Sequence, residues 1–189
     1  RELDRLGIQY IEGGWPGSNP KDAEFFQKIQ QVELRQARVA AFGSTRHAKN
    51  TCADDPNIRA LVEANTPVVT LVGKSSVLHV EKVLETTLGE NLSMIGDSVA
   101  YFRELGKQVI YDAEHFFDGY KLDAEYALET ITAAARAGAA CVTLCDTNGG
   151  SLPAEVAQAV RVVREHLRNE GLEPQLGIHT HNDGALAVA

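Results

Sequence analysis

The stretch Cys141-Val142-Thr143-Leu144-Cys145-Asp146-Thr147-Asn148-Gly149-Gly150-Ser151-Leu152-Pro153 decides the architecture. It opens with an apolar, partly β-branched run, as a buried strand does. A polar triplet and two glycines follow, and then Ser151 and Pro153, placed where a helix N-cap and a first-turn proline belong. Beyond them Val156, Val160, Val163 and Leu167 recur at helical spacing along one face. The stretch is one strand–loop–helix unit, with its polar residues on the loop that leaves the strand.

The same unit repeats outward in both directions. Apolar or β-branched runs occur at Ile8–Ile11, Val39–Phe42, Val68–Val72, Val109–Tyr111 and Leu176–Ile178. Helical faces lie between them, as in Phe25, Ile29 and Val32, or Leu92, Ile95, Val99, Phe102 and Leu105. The long connection after Val72 reads as two helical pieces split near Gly89. Strand–helix alternation implies a parallel sheet, either doubly wound or closed into a barrel. A (β/α)8 barrel of about 250 residues allots ~31 to each unit, and six runs in 189 residues give the same spacing. No G-x-G-x-x-G fingerprint follows the first strand, since Gly13-Gly14-Trp15-Pro16-Gly17 has other spacing.

Polar residues gather at the strand ends: Glu12-Gly-Gly, Gly43-Ser-Thr-Arg46, Gly73-Lys-Ser, Asp112-Ala-Glu114-His115, Asp146-Thr-Asn148 and His179-Thr-His181. In a barrel these converge on the C-terminal mouth, where barrel enzymes carry their chemistry. The expected fold is therefore α/β, a (β/α)8 TIM barrel. It is incomplete here, with about six of eight units present and the first and last strands missing. Residues 1–189 are expected to form one partial catalytic barrel domain, opening inside a helix at Arg1–Leu6 and ending early in another at Gly184–Ala189.

Composition removes several classes. The net charge is -8 with no Lys/Arg cluster, so a nucleic-acid partner is not expected. No apolar run approaches the ~20 residues of a membrane helix. Three cysteines without a paired framework suit a reducing cytoplasm, and Cys141 and Cys145 read as small core residues.

Three strand ends carry candidate chemistry. His179 and His181, at i and i+2, can turn both imidazoles to one side of a strand end and offer a divalent-metal site. A pair of hydrogen-bonded polar residues is the other reading of an isolated H-x-H, and the Asn182-Asp183 that follows favours the metal. Asp112 and Glu114 form a second i, i+2 pair, in which neighbouring carboxylates raise one another's pKa for proton transfer; capping a helix or binding an arginine is an equal alternative. Thr147 can donate a hydroxyl to a substrate carboxylate, on a loop whose Asn148-Gly149-Gly150 also forms a tight turn. Arg46, Lys74 and His115 are rim groups suited to anions. Trp15-Pro16-Gly17-Ser18-Asn19-Pro20 reads as a rigid loop over the mouth.

These segments resemble the metal-dependent Claisen-condensation and lyase barrels that include the isopropylmalate, homocitrate and citramalate synthases. The matching residues are Ile11–Asp22 (IEGGWPGSNPKD), Ala41–Arg46 (AFGSTR), Asp112–Lys121 (DAEHFFDGYK), Leu144–Gly150 (LCDTNGG) and His179-x-His181-Asn182-Asp183. WPGSNP and EHFFDGY narrow the match to the citramalate synthase branch. The resemblance implies that His179 and His181 bind a divalent cation (magnesium, manganese or zinc), that Glu114 serves in acid–base work and that Thr147 contacts the oxo-acid carboxylate. Arg46, Asp112 and His115 would be substrate-side residues. It also implies acetyl-CoA and pyruvate as substrates, citramalate and CoA as products for isoleucine biosynthesis, and a homodimeric parent. A third metal ligand, the aspartate of a D-R-x-G motif, would precede Arg1, so that the chain alone would be inactive. A different 2-oxo acid, a carbon–carbon lyase on the same site, and a non-catalytic module are the competing expectations.

Overall fold

Sheet order and chain order coincide. In the computed structural model, which describes residues 1–189, six parallel strands lie side by side as β1 (Tyr10–Glu12), β2 (Arg38–Ser44), β3 (Val68–Lys74), β4 (Gln108–Glu114), β5 (Cys141–Asp146) and β6 (Gln175–Thr180). Every neighbouring pair is parallel, from Tyr10 against Arg38 to Asp146 against Thr180. Each crossover steps one strand in the same direction, which builds the arc of a barrel; a doubly wound sheet would reverse at a switch point. The fold is an incomplete (β/α)8 barrel.

The helices are α1 (Glu2–Arg5), α2 (Pro20–Ile29), α3 (Pro56–Glu63), α4 (Val77–Lys82), α5 (Leu88–Glu104), α6 (Phe116–Leu122), α7 (Ala124–Arg136) and α8 (Pro153–Asn169). Local chemistry sets their starts. Asn19, Asp55, Thr87 and Asp123 each accept a backbone N–H of the first turn, with proline in the first turn of α2 and α3. The expected Ser151 cap is not used. Leu152 is the N-cap of α8, its N–H donating to Glu155 at 2.8 Å, while the Ser151 hydroxyl donates to Asp146 at 3.1 Å. The buried Asp146 carboxylate competes better for that hydroxyl than an exposed helix end does.

Alternation along the strands separates two faces. Val69, Leu71, Val109, Tyr111, Ala113, Val142 and Leu144 belong to the core, packed with Ile58, Leu61, Ile95, Val99, Phe102, Ile131, Val163 and Leu167 of the helices. The residues between them, among them Asp112, Glu114 and Cys145, lie on the opposite face, the barrel interior. At α5 the buried side is Asn91, Met94, Ile95, Ser98, Val99 and Phe102, so Leu92 and Leu105 stand off the expected face. The split after Val72 falls between Lys82 and Leu88, leaving Gly89 in the first turn of α5. At the other end, residues 184–189 form turns rather than a helix. Asn182 accepts the Ala187 N–H at 3.2 Å and Thr180 donates to the Ala187 carbonyl, both of which fold the segment back on β6.

Two contacts fix the strand ends from outside. Asp4 of α1 accepts the N–H groups of Arg35, Gln36 and Ala37 at 2.7–3.0 Å, which hold its carboxyl down to about 2 and anchor the entry to β2. Gly119 of α6 sits so close to the β3–α4 connection that a Cβ there would meet the Ser75 carbonyl oxygen at 2.2 Å. No helix is long and apolar enough to cross a membrane.

Candidate active site

The strands run further than their apolar residues, so several groups read as loop residues are held on the sheet itself. Asp112 and Glu114 belong to β4 and His179 to β6. Parallel register sets their neighbours. Lys74 pairs with Glu114, Asp112 with Thr143, and Cys145 with His179.

Glu114 makes an ion pair with Lys74, and both side chains are about a quarter exposed. The two therefore reach solvent at the mouth while each keeps a partner. Asp112 behaves differently. Burial pushes its carboxyl up to about 6, against the Thr143 hydrogen bond that lowers it; Glu12 adds to the rise and His179 opposes it. Desolvation rather than the neighbouring Glu114 thus raises the Asp112 carboxyl, and Glu114 has Lys74 as its partner.

His179 and His181 do lie together, with ring centroids 5.0 Å apart and tilted by 43°. Their second neighbour was not foreseen. Ligand atoms of Asp112, Cys145 and His179 all lie within 4.8 Å of one another, a group able to hold a metal ion. Cys145, read from the sequence as an inert core residue, is buried but stands on the interior face. A soft sulfur, an imidazole and a carboxylate on three adjacent strands form a donor set for a divalent cation.

A second cluster closes the mouth beside Glu114. His115 adopts left-handed backbone geometry (φ 55°), and its N–H donates to Thr147 Oγ1 at 2.8 Å. Its ring stacks on His79 of α4 at 4.0 Å and its Nδ1 lies 3.4 Å from Asp118. Asn148 also donates to Asp118, at 2.6 Å. Burial lowers the His79 pKa, with further lowering from His115 and Lys74. Thr147 and His115, which sequence reading treated separately, therefore form one hydrogen-bonded unit. His79 was missed, because nothing in its own segment singles out a histidine on a short helix. Gly149 (φ 62°) makes the turn after Thr147, and a Cβ there would meet the His181 carbonyl at 2.9 Å. The β5 turn thus packs directly on the segment bearing the histidines.

Arg46 takes a different place from the rim contact expected of it. Its side chain is 8% exposed, and it donates to Asp97 at 2.7 and 3.0 Å, to Glu90 at 2.8 Å and to the carbonyls of His47 and Asn50. Its guanidinium therefore ties the β2 loop to α5 and has little left for a substrate. Arg46→Ala is expected to lower stability by about 2–3 kcal/mol in urea denaturation, since two partly exposed carboxylates lose a buried donor. A raised KM with unchanged stability would return the residue to the substrate. Between the ends of β2 and β3 opens a cavity of ≈ 570 Å³ walled by Trp15, Phe42, Lys74, Met94 and Glu114, with the tethered Arg46 in its lining. Trp15 meets Phe42 edge to face at 5.9 Å, as suits a loop shaping a pocket.

Comparison with known proteins places this geometry. The HMGL-like family model matches residues 1–189. The chain is 50% identical over its full length to an (R)-citramalate synthase of Synechocystis sp. and 32% identical to a 2-isopropylmalate synthase of Geobacillus sp., in each case matching 35% of the relative. It thus spans about a third of the length of the curated relatives it matches. A crystal structure of hydroxymethylglutaryl-CoA lyase from Pseudomonas aeruginosa shares the fold with a TM-score of 0.76 at 18% identity, covering all of this chain and 61% of that one.

Proposed function

Because this chain belongs to the HMGL-like family, we propose that it forms the catalytic barrel arc of an acyltransferase that condenses acetyl-CoA with pyruvate and water to give citramalate and CoA. The observation that carries the reading is full-length identity of 50% to an (R)-citramalate synthase, against 32% to a 2-isopropylmalate synthase.

The donor set at the mouth fits a divalent cation. His179 and His181 would hold it, and when bound it supplies a Lewis acid for the oxo-acid carbonyl. The protein's own groups do the rest. Glu114, paired with Lys74 at the mouth, accepts the methyl proton of acetyl-CoA at one Oε. The enolate carbon then attacks the pyruvate carbonyl, and water hydrolyses the thioester to release CoA. Thr147 Oγ1 already accepts the His115 N–H, so its hydroxyl proton remains available for the pyruvate carboxylate. His115 keeps Thr147 in place through that bond. Trp15 and Phe42 give the adjacent cavity an apolar wall.

The test is thiol release by the full-length protein. CoA should appear only when acetyl-CoA, pyruvate and a divalent cation are all present. Preference for a branched 2-oxo acid would shift the assignment to another synthase of the family. Cleavage of a hydroxy acid to pyruvate, without condensation, would replace it with a lyase.

A further inference from the structure

We propose that Lys74 is a catalytic residue of the condensation, donating a hydrogen bond to the thioester oxygen of acetyl-CoA as negative charge develops there. The inference rests on the reading of Glu114 as the proton acceptor and names the group that meets the charge this acceptor creates.

Register and face place it. Lys74 ends β3 and Glu114 ends β4, and the two are partners across the parallel pair, so their side chains leave the sheet on the same side. That side is the barrel interior, because Val69 and Leu71 of β3 and Val109, Tyr111 and Ala113 of β4 go to the core. Each side chain keeps about a quarter of its surface open, and both line the ≈ 570 Å³ cavity between the ends of β2 and β3. Lys74 Nζ donates to Oε2 of Glu114, which leaves Oε1 for the methyl proton. A lysine has three N–H donors, and one of them is used on Glu114. Two face a ligand in the cavity.

The other basic groups of the cavity wall have other duties. Arg46 lines it, but its guanidinium is held by Asp97 and Glu90. His47 lines it too, with its Nδ1 accepting the Lys49 N–H at 3.3 Å. Lys74 is the one bonded to the proton acceptor. Strand order adds a division of labour, since Lys74 lies one strand from Glu114 on one side and the histidines of β6 lie two strands away on the other.

The two sides suit the two carbonyls to be joined. As a methyl C–H bond breaks, the proton goes to Oε1 of Glu114 and the electron pair spreads onto the thioester oxygen. One carbon separates the methyl group from that oxygen, so a donor bonded to the acceptor is within reach of it. An N–H···O bond to an oxygen gaining charge strengthens at that moment, which lowers the barrier. The lysine proton stays on nitrogen throughout. When the enolate carbon bonds to the pyruvate carbonyl carbon, the pair leaves the oxygen and the thioester carbonyl is restored.

Lys74→Met in the full-length protein should lower kcat for CoA release by about 10²–10³-fold, the effect of removing one such donor, with the KM for pyruvate unchanged. A binding measurement separates this contact from support of Glu114 alone. S-carboxymethyl-CoA carries a carboxylate where the enolate oxygen develops, and CoA does not. By calorimetry, adding Lys74→Met to Glu114→Gln should weaken S-carboxymethyl-CoA by at least about tenfold and leave CoA within about twofold. This double variant removes both partners of the ion pair, so no charge is stranded and the fold is retained. Equal effects on the two ligands would overturn the proposal and reduce Lys74 to a partner of Glu114. Normal kcat in Glu114→Gln alone would instead remove the proton-acceptor reading, and the ratio of the two affinities would still decide the Lys74 contact.

Discussion

Replacing His179 with alanine is expected to abolish stoichiometric divalent-cation binding and to lower kcat/KM for CoA release by at least about a thousandfold. A Lewis acid at a developing alkoxide contributes several kcal/mol, and about 1.4 kcal/mol corresponds to each factor of ten. The fold should survive. His179 lies near the end of β6, and its side chain makes no hydrogen bond within residues 1–189. Stability should therefore move by about 1 kcal/mol or less. Metal content after dialysis, thiol release and urea denaturation measured on one preparation separate these effects. Full activity with bound metal would take His179 out of the site; loss of activity through unfolding would show its role to be structural.

Glu114→Gln should lower kcat by roughly 10²–10⁴-fold, the usual contribution of a positioned proton acceptor, with little change in KM for pyruvate. The amide keeps the shape but cannot take a proton. Its loss also weakens the contact with Lys74, and because both side chains are only about a quarter exposed a stability cost on the order of 1–3 kcal/mol is expected. Melting temperature should fall accordingly while the fold persists. Glu114→Asp retains the charge but withdraws it by one methylene, and an activity between the two would locate the effect at the carboxylate. A glutamine variant with normal kcat would assign proton abstraction elsewhere.

The barrel was legible because strand, polar loop and helix repeat at one spacing, and six such repeats leave few alternatives. Which residues faced inward was also legible where i, i+2 pairs stood out, as at Asp112 with Glu114. What adjacent strands bring together was not. Cys145 lies against His179 only through parallel register, and Lys74 against Glu114 likewise, so a single sequence shows each as an isolated residue. Arg46 was placed correctly at a strand end, but Glu90 and Asp97, which occupy its guanidinium, belong to α5 and become neighbours only once that helix docks. Ser151 illustrates a further limit: a cap-forming residue was drawn off by a buried carboxylate that sequence spacing does not reveal.

The agreement of sheet order with chain order has a kinetic consequence. Within residues 1–189 each strand pairs with the one synthesised just before it, and a distant pairing would arise only where a complete barrel closes. Loop-closure entropy, which grows only with the logarithm of loop length, stays nearly constant from one addition to the next. Along this arc the sequence separation between contacting strands does not accumulate, in contrast to Greek-key sheets, whose distant pairings slow folding. The arc can therefore grow unit by unit as it leaves the ribosome, each helix covering its strand before the next arrives. The polar interior, Asp112 and Cys145 included, would be assembled late, when β6 closes against β5 and brings His179 to its neighbours.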